Sequence, residues 1–172
     1  MEYIVRHAET QDAAAIARVH VESWRSTYAG IVSDEALSSL NLEVRTGNWK
    51  EWLLRSNVIT LVAEDNAGIF GFAGGGPLRE EPAGYDAEIY AIYLLQQHQR
   101  QGAGADLLRR LVTELQRQGF KSAAVWALEK NPACAFYARL GGVPVMRKPI
   151  EIGGQTLEEI AYGWPTLDIL TE

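Results

Sequence analysis

The chain of 172 residues suits one domain with a buried core, and 47% apolar and 22% charged residues are ordinary for a globular protein. A net charge of −6 argues against non-specific attachment to nucleic acid or anionic membrane, and is compatible with a cationic small-molecule partner. One cysteine, Cys134, excludes an internal disulfide and a thiolate metal cluster. No apolar run reaches the roughly 18 residues of a membrane span, and no signal-peptide pattern opens the chain, so a cytoplasmic location is expected.

Tyr3 to Arg6 reads as a short strand, after which Thr10 or Asp12 caps a helix carrying Ile16, Ala17, Val19, His20, Trp24 and Tyr28 at helical spacing. Ser33 opens a second helical region, interrupted near Asn41 and resumed to about Arg55, with Leu37, Leu40, Val44, Trp49 and Trp52 directed inward. Val58–Ala63 and Ile69–Gly74 form a hairpin around Asn66-Ala67-Gly68. Pro77 to Asp86 is a polar loop, Glu88 to Leu95 a strand, and residues 105–118 a helix. Ser122 to Leu128 is the next strand, Asn131-Pro132 begins a helix ending at Gly141-Gly142, and Val143–Ile152 with Thr156–Trp164 makes a terminal hairpin. The order β-α-α-β-β-β-α-β-α-β-β implies mixed pairing, with crossovers at the two later helices.

Residues 99–104, Gln-Arg-Gln-Gly-Ala-Gly, join an apolar strand to a helix. Unpaired N–H groups and a favourable dipole make such a turn a site for pyrophosphate. A dinucleotide-binding turn wants a third glycine where Leu107 stands, and no Gly-Lys-Ser/Thr triplet of a nucleotide-triphosphatase loop occurs. An ordinary tight turn is the alternative. Further on, Asn131 offers both an amide donor and an acceptor, suited to an extended amide-bearing ligand. Tyr137 lies six residues later on the same helix. Its phenol, with an ordinary pKa near 10, is able to hydrogen-bond or to give a proton to a more acidic leaving group, core packing with Phe136 being the alternative.

Gln99, Gly102 and Gly104 match the Q/R-x-x-G-x-G/A turn of the GNAT (GCN5-related) N-acetyltransferases, and Asn131 to Gly142 resembles that superfamily's N-x(n)-F/L-Y-x-x-L-G segment. The stretch His20–Gly30 is also similar to a first-helix pattern common in the superfamily. The resemblance implies one domain over residues 1–172: an α/β fold with a mixed, mostly antiparallel sheet of about seven strands, helices on both faces, splayed between strands 4 and 5. It implies acetyl-CoA as acyl donor. Main-chain groups of Ile92, Tyr93 and Leu94 would pair with the pantetheine arm. Gln99, Arg100, Gln101, Gly102, Ala103, Gly104 and Ala105 would hold the pyrophosphate, Asn131 would contact the arm, and Tyr137 would be general acid. Gln96 stands where members often carry proline.

Direct transfer needs a neutral amine, hence a proton acceptor. Glu88 is the candidate, on a strand whose strict alternation would group it with Tyr90, Ile92 and Leu94, and place Ile89, Ala91, Tyr93 and Leu95 opposite. The alternative is a strand-end carboxylate in solvent or in a salt bridge. Trp24 and Tyr28, one helical turn apart, would wall an acceptor site attractive to a cation, core packing being the alternative. Arg79, Glu80, Glu81 and Asp86 read as a solvated charged loop, His98 as a surface turn residue, and Cys134 as a buried thiol. The histidines show no ligand motif, so no metal is expected. The expected activity is acetyl transfer from acetyl-CoA to a primary amine of a small molecule. A protein or peptide acceptor is the alternative, as is a non-catalytic acyl-CoA-binding module. No nucleic acid or membrane partner is expected, and the edge strand of the terminal hairpin offers a place for a homodimer.

Overall fold

A computed structural model describes residues 2–171. The elements are β1 (Ile4–His7), α1 (Ala13–Thr27), α2 (Asp34–Ser38), α3 (Leu42–Leu53), β2 (Ile59–Asp65), β3 (Gly68–Pro77), β4 (Ala87–Leu94), α4 (Ala103–Arg117), β5 (Ala123–Leu128), α5 (Ala133–Arg139), β6 (Val143–Ile152) and β7 (Gln155–Trp164). They build one seven-stranded sheet in the order β1-β2-β3-β4-β5-β7-β6. Only β4 and β5 run parallel, because α4 crosses over between them. At the end of the sheet, Gly153 and Gly154 both adopt positive φ (+57° and +74°) in the two-residue β6–β7 turn, a conformation glycine supplies without steric cost.

The second helical region is two helices, because the chain must leave helical geometry to cap the next one. Ser33 Oγ accepts from the Ala36 N–H (3.3 Å), and extended Asn41 accepts from the Val44 N–H through Oδ1 (2.9 Å). Val44 is 61% exposed, contrary to the inward reading. The buried Trp49 sets the inner face of α3, and five residues away, at roughly 100° per residue, Val44 points elsewhere.

The core lies on both sides of the sheet. Leu107, Leu108, Leu111 and Leu115 of α4 fill one face. On the other, Ile16, Ala17 and Val19 of α1 join Trp49 of α3, whose ring meets Phe72 of β3 edge-on at 5.0 Å. Glycines let α4 approach closely: a Cβ on Gly71 would stand 3.4 Å from Leu107 Cδ1, and one on Gly75 3.3 Å from Leu111 Cδ2.

Strict alternation fails in β4. Gly74 pairs with Ala91 and Gly75 with Ile89, leaving Tyr90 as the extra residue of a β-bulge. Tyr90 and Ala91 therefore fall on the same face. Glu88 and Tyr90 share the α1/α3 side with Tyr93, while Leu94 packs toward α4: Tyr90 meets Trp52 of α3 at 5.6 Å, and Tyr93 stacks on His20 of α1 at 5.6 Å. This corrects the expected grouping of Glu88 with Ile92 and Leu94.

Candidate active site

β4 and β5 pair only through Ala87–Ile89 and Ala123–Val125, then part. The sheet is forked, and residues 90–94 of β4 have no neighbour on the β5 side. The direction of each main-chain group follows from one bond. The Leu95 N–H donates to the Phe70 carbonyl (2.9 Å), so alternate residues Tyr93 and Ala91 also bond to β3, while Ile92 and Leu94 turn their N–H and C=O toward the fork. The Leu94 carbonyl is engaged there by Ser23 Oγ and Gln99 Nε2, both at 3.1 Å. Of the three expected main-chain contacts, Tyr93 is therefore committed to β3; its side chain is what reaches the site.

Beside the fork, residues 96–98 form a 3-10 turn and the chain enters α4 through two left-handed residues, Arg100 (φ +60°) and Gly102 (φ +91°). For Arg100 this costs roughly 1–2 kcal/mol, a strain of the kind that concentrates at functional segments. The helix starts at Ala103, two residues before the expected Ala105, because left-handed Gly102 already serves as its cap. Asp106 makes the first intrahelical bond, to the Gly102 carbonyl (3.1 Å), so the N–H groups of Ala103, Gly104 and Ala105 have no helical partner. A Cβ on Gly104 would sit 3.5 Å from Leu94 Cδ1 and 3.9 Å from Phe136 Cζ, so β4, α4 and α5 converge here.

Residues far apart in sequence meet on the other side of the fork. Tyr28 Oη lies 3.1 Å from Tyr93 Oη, and Asn131 Nδ2 donates to Tyr28 Oη (3.2 Å). Asn131 Oδ1 accepts from the Ala133 N–H (2.9 Å), so the amide expected to meet a pantetheine arm is engaged at both ends, with one N–H to spare. Trp24 packs against Tyr28 at 4.7 Å, its Nε1 buried without a partner. Tyr28 itself is 3% exposed, part of a small core with Val32, Leu37 and Leu128, and only its edge belongs to a site wall. Tyr137 is buried beside Tyr162 and Trp164, and burial, reinforced by Tyr28 and Cys134, pushes its phenol well above the ordinary range. It therefore stays protonated at neutral pH, as a general acid must.

Glu88 projects from the base of the fork with 2% of its side chain exposed. Arg79 grips it, Nη2 on Oε1 at 2.5 Å and Nε on Oε2 at 3.1 Å, with the Arg79 N–H on Oε2 at 3.2 Å. The guanidinium also lies over the Tyr90 ring at 4.9 Å. Glu159 of β7 is close by, its carboxyl raised by burial and by Glu88 against the lowering pull of Lys148. The loop expected to be solvated is instead tied down. Besides Arg79, Glu81 takes Lys148 (3.5 Å) and accepts from Trp126 Nε1 through its carbonyl (2.9 Å). Asp86 accepts from the N–H groups of Lys121 and Ser122 (2.9 Å each). Opposite, Gln155 fastens the β6–β7 turn to the α1–α2 connection, accepting from the Ser33 N–H (3.0 Å) and donating to the Ile31 carbonyl (3.4 Å).

Three contributors escaped the sequence reading: Arg79 as the partner of Glu88, the Tyr93 side chain, and His20. His20 accepts from Trp49 Nε1 at Nδ1 (3.1 Å) and backs Tyr93, with its pKa lowered to about 4 by burial and by Arg45. A buried carboxylate demands a cation, so Arg79, the nearest arginine in sequence, was a signal available for the first. Cys134 is half-buried, its thiol donating to the Leu128 carbonyl (3.3 Å) and its pKa raised by burial.

A forked sheet with a free helix N-terminus at its mouth is the architecture of the N-acetyltransferase class. Residues 16–142 match the acetyltransferase (GNAT) family, to which the chain belongs. It is 44% identical over 167 residues to the uncharacterized N-acetyltransferase YuaI of Bacillus subtilis, covering 96% of this chain and 95% of that protein. It is 32% identical over 111 residues to the phosphinothricin N-acetyltransferase of Streptomyces viridochromogenes, 60% of each chain. The fold is that of the PaiA N-acetyltransferase from Thermoplasma acidophilum, solved in complex with coenzyme A (TM-score 0.74, 22% identity, 92% of this chain and 98% of that one). No helix among the described residues is long and apolar enough to cross a membrane.

Proposed function

We propose that this N-acetyltransferase moves the acetyl group of acetyl-CoA to the primary amine of a small molecule by direct attack in a ternary complex. The observation that carries the reading is the fork itself: the Ile92 main-chain groups and the Leu94 N–H free on one wall, with the Leu94 carbonyl held by Ser23 and Gln99, three N–H groups of α4 without a helical partner at its mouth, and Tyr137 buried on α5. Ile92 and Leu94 receive the pantetheine amides in the manner of an added strand and polarise the thioester carbonyl. Residues 99–105 take the pyrophosphate. The amine nitrogen forms the new C–N bond as the C–S bond breaks, and Tyr137 gives its proton to the departing thiolate.

Glu88 is the proposed proton acceptor for the ammonium, directly or through water. Arg79 holds both of its oxygens, so that role requires the guanidinium to swing away into the solvent that its side chain, 61% exposed, already meets. The Gln155 clasp closes the α1–α2 side of the acceptor face, which supports a compact amine over an extended peptide. One relative's name specifies N-acetylation of phosphinothricin, which favours the same class. The free edge of β6 contains Pro144 and Pro149, which lack an N–H, and this weighs against edge-to-edge dimerisation.

Calorimetric titration with acetyl-CoA, with NAD and free acetate as controls, tests the donor. Thiol release across a panel of amines and short peptides then tests the acceptor. Micromolar binding with one site and turnover on amines alone is expected. Binding without turnover would leave a coenzyme-binding module, and turnover confined to peptides would reverse the acceptor assignment.

A further inference from the structure

His98 is not the surface turn residue its sequence position suggests. It closes the 3-10 turn after β4 with 13% of its side chain exposed, and its ring lies flat on Phe70 of β3, centroids 4.3 Å apart and planes 10° from parallel. Its Nε2 stands 3.2 Å from Asp65 Oδ2 at the β2–β3 turn. Asp65 is itself oriented by the Ala67 N–H on Oδ1 (2.8 Å), a bond that, with the contribution of His98, lowers its pKa and keeps it ionised. The other ring nitrogen, Nδ1, is buried without a partner.

The residues that follow His98 are the strained ones. Arg100 is left-handed without being glycine, and such a residue persists only where its surroundings over-determine it. Two ties within the segment are local: Gln99 Nε2 to the Leu94 carbonyl and Gln101 Nε2 to the Gln97 carbonyl. The His98 contacts reach a different hairpin. They fasten the start of the turn to the β2–β3 end of the sheet, while α4 fastens its finish.

We propose that His98, gripped by Asp65 and Phe70, is a positioning residue that presets residues 99–105 in the conformation that receives the pyrophosphate of coenzyme A. The inference rests on the acetyl-CoA reading above. Without the grip, ordering the turn draws on binding free energy, and donor affinity falls while the chemistry at the fork is untouched.

The test is a comparison of two donors. Acetyl-CoA carries the pyrophosphate, and S-acetylpantetheine does not. His98→Ala and Asp65→Asn are each expected to weaken acetyl-CoA binding about tenfold, or about 1.4 kcal/mol, with S-acetylpantetheine affinity and kcat at saturating acetyl-CoA unchanged. The double variant should bind no more weakly than either single one, because both remove the same grip. His98→Gln, which keeps a donor toward Asp65 but not the stack, should recover part of the affinity. Unchanged acetyl-CoA affinity in His98→Ala would overturn the proposal, as would equal weakening of both donors or a fall in kcat that tracks a lowered Tm. Failure of the wild-type protein to bind acetyl-CoA would overturn the donor reading as well.

Discussion

Replacing Arg79 by methionine keeps the stem over Tyr90 and removes the guanidinium from Glu88. The carboxylate, 2% exposed, is then left with one hydrogen bond, from the main-chain N–H of residue 79 at 3.2 Å. Removing one partner of a fully buried pair costs roughly 3–5 kcal/mol. Arg79 is 61% exposed, so water follows the departing guanidinium and recovers part of that. A loss of about 2 kcal/mol is the working figure. For a chain of this size it lowers Tm by about 4–8 °C. Urea unfolding measures the loss directly. Adding Glu88→Gln in the Arg79→Met background should return at least half of it, since an amide tolerates burial where an unpaired carboxylate does not. An Arg79→Met protein within about 0.5 kcal/mol of wild type, the usual scatter of surface substitutions, would refute the claim that Glu88 is desolvated and dependent on this partner.

Tyr137→Phe should lower kcat by about a hundredfold or more, the usual worth of a positioned acid, with calorimetric affinity for acetyl-CoA nearly unchanged; equal turnover removes Tyr137 from the mechanism. Gly104→Glu should reduce acetyl-CoA affinity by about a hundredfold or more by setting a carboxylate beside the pyrophosphate. Gly104→Ala should keep most of that affinity, because a Cβ there meets Leu94 at an ordinary 3.5 Å. His20, with its pKa lowered from 6.5 to about 4, is neutral in the fold but binds a proton when unfolded. Stability is therefore fully present above pH 6.5 and lost as pH falls toward 4, by about 3 kcal/mol at most. His20→Phe should flatten that part of the pH–stability curve, and an unchanged slope in urea titrations would exclude His20 as its source.

On the proposed reading, the geometry also implies how the two substrates are kept apart. In that reading the donor is held mainly by main-chain groups on β4 and α4, which side-chain substitutions alter only through the conformation of the turn. The proposed acceptor face draws on side chains of α1, β4, the 78–86 loop and β7, so on this reading it is the part free to differ among proteins of one fold.

The donor half was readable in the linear chain because its elements are local. Gln99 to Gly104 occupy one turn, the α4 apolar stripe follows at helical spacing, and Asn131 to Gly142 form one helix with its boundaries. The β2–β3 and β6–β7 hairpin turns are likewise short-range, whereas β1 joins β2 from across α1, α2 and α3. The acceptor half was not, because it depends on contacts over long separations. The bulge at Tyr90 exists only through pairing with β3, and it reverses which residues share a face with Glu88. The Arg79 clamp depends on how the 78–86 loop folds back, and the Tyr28–Tyr93–Asn131 link joins α1, β4 and the start of α5. His98 looked like a surface residue until the β2–β3 turn brought Asp65 to it. Periodicity and turn chemistry act over a few residues and determine elements and the glycine turn before α4 by themselves; which side chains face one another, and which charges are buried, is decided when the sheet closes and water is expelled between its layers.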